Sequence, residues 1–373
     1  MIKIRDRELG TEKPVYIIAE AGVNHNGSIE LAKKLVDAAA EAGADAVKFQ
    51  TFRAELIVTE DADKAEYQKK DSDESQFNML RNLELSDEDF MELKEYCNTK
   101  KVEFLSTPHS GEWSVNLLEE LGISAYKIGS GDLTNIPLLK YIAKLGKPVI
   151  ISTGMATLDE IEEAKESINS EGNDNLIVLH CTTMYPCPEG KVNLRAMQTI
   201  LEKTENLVGY SDHTNSIEAS IIATCLGASL IEKHFTLDQD MPGPDHASSI
   251  EPDELEELIR AIRFVRKNNI QNPSEAFDAL NSQGYSLNSS LIETILGSPE
   301  KVPDEKELEI SKVARKSIVA RKYIKSGEEL TSKNIGILRP GEGLHPRHFP
   351  ELLGKQVVRD IKKNEYLLLE DVK

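Results

Sequence analysis

One pattern recurs along residues 14–267: a short run of β-branched and other apolar residues, a polar turn, and then a stretch with helical periodicity. Alternating strands and helices bury a parallel sheet beneath its helices, and eight such units over roughly 250 residues are typical of a closed barrel. The sequence therefore predicts a (β/α)8 TIM barrel. Its strands are expected at 14–21, 45–50, 103–108, 125–130, 148–154, 175–181, 207–212 and 230–235.

The segments between these strands carry helix signals. The segment 28–43 begins at Ser28, a favourable N-cap residue, and ends at Gly43, a favourable residue after a helix. Further helices are predicted at 157–172 and 216–228. A doubly wound open sheet is the alternative, but it would more often show a GxGxxG loop after the first strand. The motif AEAGVNHNG (19–27) lacks that spacing.

Charge divides the chain near residue 310. The whole chain has a net charge of −20, yet residues 311–373 carry 14 basic and 8 acidic residues. We therefore predict a barrel domain over 1–268, a linker over 269–310 and a compact, β-rich module over 311–373. Two interpretations of the basic module stay open: it docks on the acidic body, or it closes over an anionic ligand.

The composition argues against several classes of partner and location. A net charge of −20 disfavours nucleic acid as a partner. No apolar run reaches the ~18 residues that a spanning helix needs, and the charged start of the chain lacks a secretory h-region. The four cysteines form no CxxC pair. We expect free thiols in a cytoplasmic protein, with no membrane contact.

Polar residues cluster where the predicted strands end. In barrels, chemistry occurs at the C-terminal ends of the strands. A single polar strand end is commonly a capping or solvated group, but eight strands with the same polarity indicate an enzyme site. Lysines and hydroxyl groups around one pocket suit phosphate and carboxylate ligands. Those expected here are Lys48, Lys127, Ser130, Ser152, Thr183 and Ser211.

Two histidines and one glutamate add candidate catalytic groups. His213 and His234 end consecutive strands, and two imidazoles with oxygen ligands suit Mn²⁺, Mg²⁺ or a similar divalent ion. The alternative is a hydrogen-bonded pair without metal. Glu20 ends the first strand and is placed to act as a base; the alternative for Glu20 is an ion pair with Lys48 or Lys127.

Nine ordered motifs give the chain a specific resemblance. Together they resemble the sialic-acid synthase family, and 314–344 resembles the antifreeze-like, or SAF, domain that those enzymes carry. The resemblance covers nearly the whole chain and is weakest at about 269–310. The motifs are AEAGVNHNG (19–27), VKFQTF (47–52), FLSTP (104–108), YKIGSGD (126–132), ISTGM (151–155), HCTTMYPCP (180–188), GYSDHT (209–214), EKHFTLD (232–238) and MPGPDHASS (241–249).

The resemblance implies an N-acetylneuraminate synthase reaction, in which phosphoenolpyruvate condenses with an N-acetylated hexosamine and water. The products are a nine-carbon 2-keto acid and phosphate. It implies that Glu20 activates the water, and that His213 and His234 bind a divalent metal, Mn²⁺ first, with Mg²⁺ or Co²⁺ as alternatives. It also implies two groups of binding residues: for phosphoenolpyruvate, Lys48, Thr107, Lys127, Ser130, Ser152, Thr183 and Ser211; for the sugar, Gln50, Asp132, Tyr185, Asp245 and Arg339.

The same resemblance implies a domain-swapped homodimer, in which Arg339 reaches the sugar site of the partner subunit. Thr183 and Asp132 stand where many family members carry Asn and Glu, respectively. These departures, together with the segment KAEYQ (64–68), favour a different hexosamine, such as the 2,4-diacetamido-trideoxy sugar of legionaminate synthases. Two alternatives lie outside the family: a Schiff-base aldolase using Lys127, and a non-catalytic carbohydrate- or ice-binding protein.

Overall fold

The computed structural model describes residues 2–64 and 74–373, and the folded body is an eight-stranded parallel barrel. A two-stranded hairpin, β1 (Ile2–Ile4) and β2 (Arg7–Leu9), precedes the barrel. The barrel is nearly closed, because the ladder runs β5-β4-β3-β10-β9-β8-β7-β6 and its two end strands lie side by side. Its strands are β3 (Tyr16–Gly22), β4 (Ala46–Thr51), β5 (Glu103–Pro108), β6 (Tyr126–Ile128), β7 (Val149–Ser152), β8 (Leu176–His180), β9 (Leu207–Asp212) and β10 (Leu230–His234).

All eight predicted strands are present, so the barrel prediction is confirmed. The helices that follow or surround these strands are α1 (Ile29–Ala42), α2 (Gln76–Asn82), α3 (Asp87–Lys100), α4 (Gly111–Glu120), α5 (Ile136–Ala143), α6 (Leu158–Asn169), α7 (Arg195–Thr204), α8 (Glu218–Cys225), α9 (Pro252–Lys267), α10 (Pro273–Asn281), α11 (Ile292–Leu296), α12 (Glu305–Ala314) and α13 (Phe349–Leu352). No helix among the described residues is long and apolar enough to cross a membrane.

Local sequence explains where the barrel helices begin and end. The Ser28 side chain accepts a hydrogen bond from the Leu31 backbone N–H at the start of α1, and Gly43 ends the helix in the left-handed conformation, with φ 86°. Thr157 and Glu160 form a reciprocal capping box at the start of α6. These caps satisfy backbone groups that each helix end leaves without partners.

Two hydrophobic layers hold the barrel together. The inner layer fills the barrel with alternate strand residues such as Ile18, Leu105 and Ile177, and the β1–β2 hairpin closes it with Ile2 and Ile4. The outer layer packs the opposite faces of the strands against the helices. Both faces of the strands are occupied by these apolar layers. The polar side chains therefore lie at the C-terminal strand ends, around the mouth of the barrel.

The C-terminal module is a small antiparallel unit on the barrel. Strands β11 (Ser317–Ala320) and β12 (Ile335–Leu338) pair antiparallel above an apolar core of their own. This confirms the predicted β-rich module. Its basic residues bind acidic barrel residues through Arg315–Glu160 at 2.7 Å and Arg347–Glu163 at 2.9 Å. The segment 269–310 contributes α10, α11 and the start of α12, with α10 and α11 packed on α8.

Candidate active site

One cavity lies at the C-terminal ends of the barrel strands, as the strand-end pattern predicts. The structure brings nearly all of the predicted site residues to this cavity, and Asp132 is the exception. Those that line it are Glu20, Lys48, Gln50, Thr107, Lys127, Ser130, Ser152, Thr183, Tyr185, Ser211, His213, His234, Asp245 and Arg339. Their binding and catalytic roles stay predictions.

Two carboxylates and two ammonium groups alternate on the floor of the cavity. Lys48 Nζ lies 2.6 Å from Glu20 Oε2 and 3.7 Å from Glu232 Oε2. Lys127 Nζ lies 3.2 Å from Glu232 Oε1, which also accepts a hydrogen bond from Ser211 Oγ at 2.8 Å. All five side chains are buried. Because the four charges cancel, two cationic groups are held inside the barrel at an acceptable electrostatic cost.

The two carboxyl groups have different proton affinities. Burial raises the pKa of Glu20 to about 7, although Lys48 opposes the shift. Burial also acts on Glu232, but Lys127 and Lys48 outweigh it and lower the pKa of Glu232 to about 2. Two carboxyls whose environments separate their pKa values suit different tasks, so Glu20 is the group fit to exchange a proton near neutral pH.

Hydroxyl groups form one side of the cavity. Ser130 Oγ and Thr183 Oγ1 lie 3.2 Å apart, and Gly154 lies against both. A Cβ at Gly154 would lie 2.1 Å from Thr183 Oγ1, so only glycine permits this approach. Ser152 Oγ is buried without a hydrogen-bond partner among the described residues. Convergent hydroxyls beside two lysines form a cradle for an anion.

Two histidines, His213 and His234, meet in the same cavity. The rings of His213 and His234 have centroids 5.5 Å apart, and the ring of Tyr185 lies 4.3 Å from that of His213. His213 Nδ1 donates to the Thr182 carbonyl at 2.7 Å. In the neutral ring, Nε2 therefore carries no proton and has a lone pair available to a ligand. Burial lowers the pKa of His213 to about 4 and that of His234 well below its usual value, so both rings are neutral at pH 7.

These two imidazoles fit a divalent metal as a pair of nitrogen ligands. His234 Nδ1 is buried without a hydrogen-bond partner in the described part of the chain, and neutral rings bind metal through such nitrogens. Residues 2–64 and 74–373 contain no cluster of three or more His, Cys, Asp or Glu suited to a metal. A metal here would therefore keep open positions for water or substrate oxygens.

Two further polar groups, from Gln50 and Asp245, lie with Glu20 around Gly22. Gly22 adopts φ 53°, and a Cβ on it would lie within 3.4 Å of Gln50 Nε2, Asp245 Oδ2 and Glu20 Oε1. The left-handed backbone favours glycine at this position, and the missing side chain leaves room for Gln50, Asp245 and Glu20 around it. Burial raises the pKa of Asp245 to about 6. The three groups offer both donors and acceptors to a polyhydroxylated ligand.

Asp132 lies behind the cavity wall rather than in it. Its carboxylate binds Lys316 Nζ at 2.8 Å, accepts from Asn135 Nδ2 at 3.0 Å and lies 3.4 Å from His109 Nδ1. These partners occupy both oxygens and hold the pKa of Asp132 well below its usual value, against the effect of burial. In this structure Asp132 joins the barrel to the C-terminal module, and its role as a sugar contact stays a prediction.

Arg339 lines the cavity of its own barrel. Its backbone N–H donates to the Ile57 carbonyl at 2.9 Å, and its carbonyl accepts from the Thr59 N–H at 3.1 Å. Its guanidinium lies beside Gly131 at the mouth. A single chain therefore supplies this arginine without a partner, and the swapped homodimer stays a prediction.

Two features of the cavity were given no role from the sequence, although Glu232 was recognised as a polar residue at a strand end. Glu232 lies two residues before His234 on β10, and the two-residue repeat of a strand sends both side chains the same way. That alternation was the available signal for Glu232. The second feature is an apolar wall, which brings together distant segments and leaves no local signal. Its members are Val23, Phe52, Ile57, Met79, Leu80, Leu83, Ile310, Val313 and Ala314. In the motif KAEYQ (64–68), residues 65–68 lie outside the described residues.

The fold is a (β/α)8 barrel whose mouth contains two lysines, two histidines and two carboxyl groups with different pKa values. This combination is typical of an enzyme that acts on a small anionic substrate. The NeuB family model matches residues 35–272, and the SAF domain model matches 315–373. The chain belongs to the NeuB family. It is a phosphoenolpyruvate-dependent condensing enzyme, as the sequence motifs imply.

Individual relatives agree with this assignment. A Campylobacter jejuni protein named N,N'-diacetyllegionaminic acid synthase is 44% identical over 95% of this chain and 99% of its own. A mouse protein named N-acetylneuraminate-9-phosphate synthase is 33% identical over 98% of this chain and 95% of its own. The crystal structure of the Bacillus subtilis spore coat polysaccharide biosynthesis protein SpsE matches with a TM-score of 0.81 and 39% identity, covering 100% and 99% of the two chains.

Proposed function

We propose that this enzyme condenses phosphoenolpyruvate with an N-acetylated hexosamine to give a nine-carbon, sialic-acid-type 2-keto acid and phosphate. The observation that carries the proposal is that Lys48, Lys127 and the hydroxyls of Ser130 and Thr183, which lie 3.2 Å apart, line one cavity. Two cations and several hydroxyls match a ligand that carries both a carboxylate and a phosphate.

In the proposed reaction, C3 of phosphoenolpyruvate attacks the aldehyde carbon of the open-chain sugar. Water adds to the resulting cation at C2, and phosphate leaves with cleavage of its C–O bond. Glu20 is the residue that accepts the proton from this water, because burial raises its pKa to about 7 and it lies on the cavity floor. Lys48 holds the Glu20 carboxylate in place at 2.6 Å.

We propose His213 and His234 as the ligands of a divalent cation, with Mn²⁺ first and Mg²⁺ or Co²⁺ as alternatives. Such a cation would act as a Lewis acid on the sugar aldehyde. The Thr182 carbonyl fixes the tautomer of His213, and Tyr185 packs on its ring. Both contacts orient His213 before any ligand arrives.

The apolar wall favours one hexosamine over another. Ile57 belongs to this wall and binds the backbone of Arg339, so the wall adjoins the predicted sugar side. A sugar methyl group is stabilised there, whereas a hydroxyl would lose hydrogen bonds to water. We therefore favour a 2,4-diacetamido-trideoxyhexose, the substrate type of a legionaminate synthase. N-acetylmannosamine, for neuraminate synthesis, is the second candidate.

Assembly and location complete the proposal. The domain-swapped homodimer implied by the family resemblance stays part of the proposal. In the single chain described here, the module contacts its own barrel. The cytoplasm is the proposed location, and support comes from four cysteines that are all buried and free.

The experiment is phosphate release from phosphoenolpyruvate against a panel of hexosamines. We expect the 2,4-diacetamido-trideoxy sugar to exceed N-acetylmannosamine in kcat/KM by roughly 10- to 200-fold, the discrimination that a few apolar contacts supply. The reverse order would identify a neuraminate synthase, and no release with any sugar would refute the proposal.

Borohydride trapping tests the Schiff-base alternative. Burial lowers the pKa of Lys127, as an amine nucleophile requires, but Glu232 at 3.2 Å holds this lysine as an ion pair. We expect no trapped adduct. A covalent adduct on Lys127 would favour the aldolase.

A further inference from the structure

The segment that joins the barrel to the C-terminal module contains two buried charged residues. Lys301 and Glu307 are 5% and 3% exposed, although their neighbours Val302, Glu305 and Lys306 are exposed. A flexible connection gives no reason to bury charges, because each buried charge needs compensating partners. Both residues find these partners in the loops that carry the hydroxyl side of the cavity.

Glu307 joins α12 to the loop after β8. Its Oε1 accepts a hydrogen bond from the Thr183 backbone N–H at 2.6 Å, and its Oε2 accepts one from the Asp304 N–H at 3.0 Å. The second bond belongs to the capping box at the start of α12. One carboxylate therefore fixes the backbone of Thr183 to the end of a helix.

Lys301 acts on the neighbouring loop, which follows β7. Its Nζ donates to the Gly154 carbonyl, and the Gly154 N–H donates to Cys181 Sγ at 3.0 Å. Gly154 is the residue that allows Thr183 and Ser130 to approach each other. The segment thus binds both loops at the point where their hydroxyl groups meet.

We propose that Glu307 and Lys301 are positioning residues that set the backbone of Thr183 and Gly154, and through it the phosphoenolpyruvate-binding hydroxyls. The inference rests on the proposed function of the cavity. Lys301 and Glu307 are not among the residues that line the active-site cavity. Each therefore acts on the cavity through the loop that it holds. The segment 298–314 is then part of the active site rather than a connection between domains.

The test compares Glu307→Ala, Glu307→Gln and the control Glu309→Ala, which changes an exposed residue of the same helix. Phosphoenolpyruvate binding is measured by calorimetry without sugar, and KM is measured for each substrate. Glu307→Ala removes the charge-assisted hydrogen bond to the Thr183 N–H. We expect this loss to weaken phosphoenolpyruvate binding roughly 10- to 100-fold. The hexosamine KM should change less than the phosphoenolpyruvate affinity, because Gln50, Asp245 and Arg339 lie outside the loops that Glu307 and Lys301 hold.

The conservative variant separates positioning from general stability. In Glu307→Gln the side-chain amide keeps a carbonyl oxygen that still accepts from the Thr183 N–H, so this variant should recover most of the phosphoenolpyruvate affinity lost in Glu307→Ala. Glu309→Ala should bind like the wild type. Lys301→Met, which removes the hydrogen bond to the Gly154 carbonyl, should also weaken phosphoenolpyruvate binding more than it raises the hexosamine KM. This variant replaces Glu307→Ala in the test if Glu307→Ala does not fold.

Three results would overturn the inference: unchanged phosphoenolpyruvate affinity in Glu307→Ala, even with a lower melting temperature; an equal rise of both KM values; or wild-type affinity in folded Lys301→Met. Failure of the proposed function is a different result, because the wild-type enzyme itself would then bind no phosphoenolpyruvate.

Discussion

Lys316 of the C-terminal module and Asp132 of the barrel form a buried ion pair, with Nζ 2.8 Å from Oδ1 and the two side chains 1% and 2% exposed. Lys316 also donates to the His109 carbonyl at 2.6 Å. A charge pair buried this completely makes each member dependent on the other, because removal of one leaves an uncompensated charge. The module is thereby attached at the rim of the active site.

Lys316→Met should destabilise the chain by about 3–5 kcal/mol, the usual cost of removing one partner of a buried pair. Lys363→Met, which breaks the exposed Lys363–Glu60 pair, is the matched control and should have little effect. Urea denaturation measures both. Asp132→Asn with unchanged stability and a raised sugar KM would contradict this account and support the sugar contact expected from the family resemblance.

Glu20→Gln should lower turnover by roughly 10²- to 10⁴-fold, the usual contribution of general acid–base catalysis. Phosphoenolpyruvate affinity should change little, because Lys48 and Lys127 keep their positive charges. Steady-state kinetics and calorimetry measure the two quantities, with Glu30→Gln on the exposed face of α1 as control. A loss of ligand binding with turnover of the bound substrate intact would make Glu20 structural.

The pH profile of kcat/KM should rise with pH and level off above about 7. A base works only as the carboxylate, and burial raises the pKa of Glu20 to about 7, so activity falls as pH drops through that value. Asp245, whose pKa burial raises to about 6, is the other carboxyl that titrates nearby. The limb near 7 should persist in Asp245→Asn. A profile that is flat down to pH 5 would exclude Glu20 as the base.

His213→Ala and His234→Ala should each abolish activity and weaken Mn²⁺ binding while leaving the fold intact. The reason is that each ring would supply one of only two protein ligands. Electron paramagnetic resonance of bound Mn²⁺ gives a readout independent of turnover, and circular dichroism reports the fold. The control is His348→Ala on the module surface. A His213→Ala variant that stays active, and whose activity a chelator does not change, would refute the metal assignment.

Mixing Glu20→Gln and Arg339→Ala proteins tests which barrel the module closes. If each module closes its own barrel, as Arg339 does in this chain, every chain in the mixture lacks one needed group and activity does not return. Arg339→Ala alone should mainly raise the sugar KM, because a guanidinium makes binding contacts. Partial recovery on mixing would instead establish exchange of modules between the subunits of a homodimer.

Much of the site was predictable because barrel topology converts sequence position into spatial position. Parallel strands all deliver their C-terminal ends to one face, so Glu20, Lys48 and His234 had to meet once eight strands were recognised. Glu232 was within reach of the same reasoning, since it shares a strand face with His234. Asp132 was predicted to face the sugar, but in the structure it pairs with Lys316. This contact joins residues 184 positions apart, so the sequence around Asp132 does not indicate it.

The sequence alone determined the strand–helix rhythm, the caps that bound the helices, the basic C-terminal module and the family motifs, because each depends on neighbouring residues or on a repeat. The tertiary structure decided which charges pair on the cavity floor, how their pKa values separate, that Arg339 lines the cavity of its own chain here, and that Lys301 and Glu307 contact the loops on the hydroxyl side. These outcomes depend on burial and on distances between remote segments, and only the folded chain fixes those quantities.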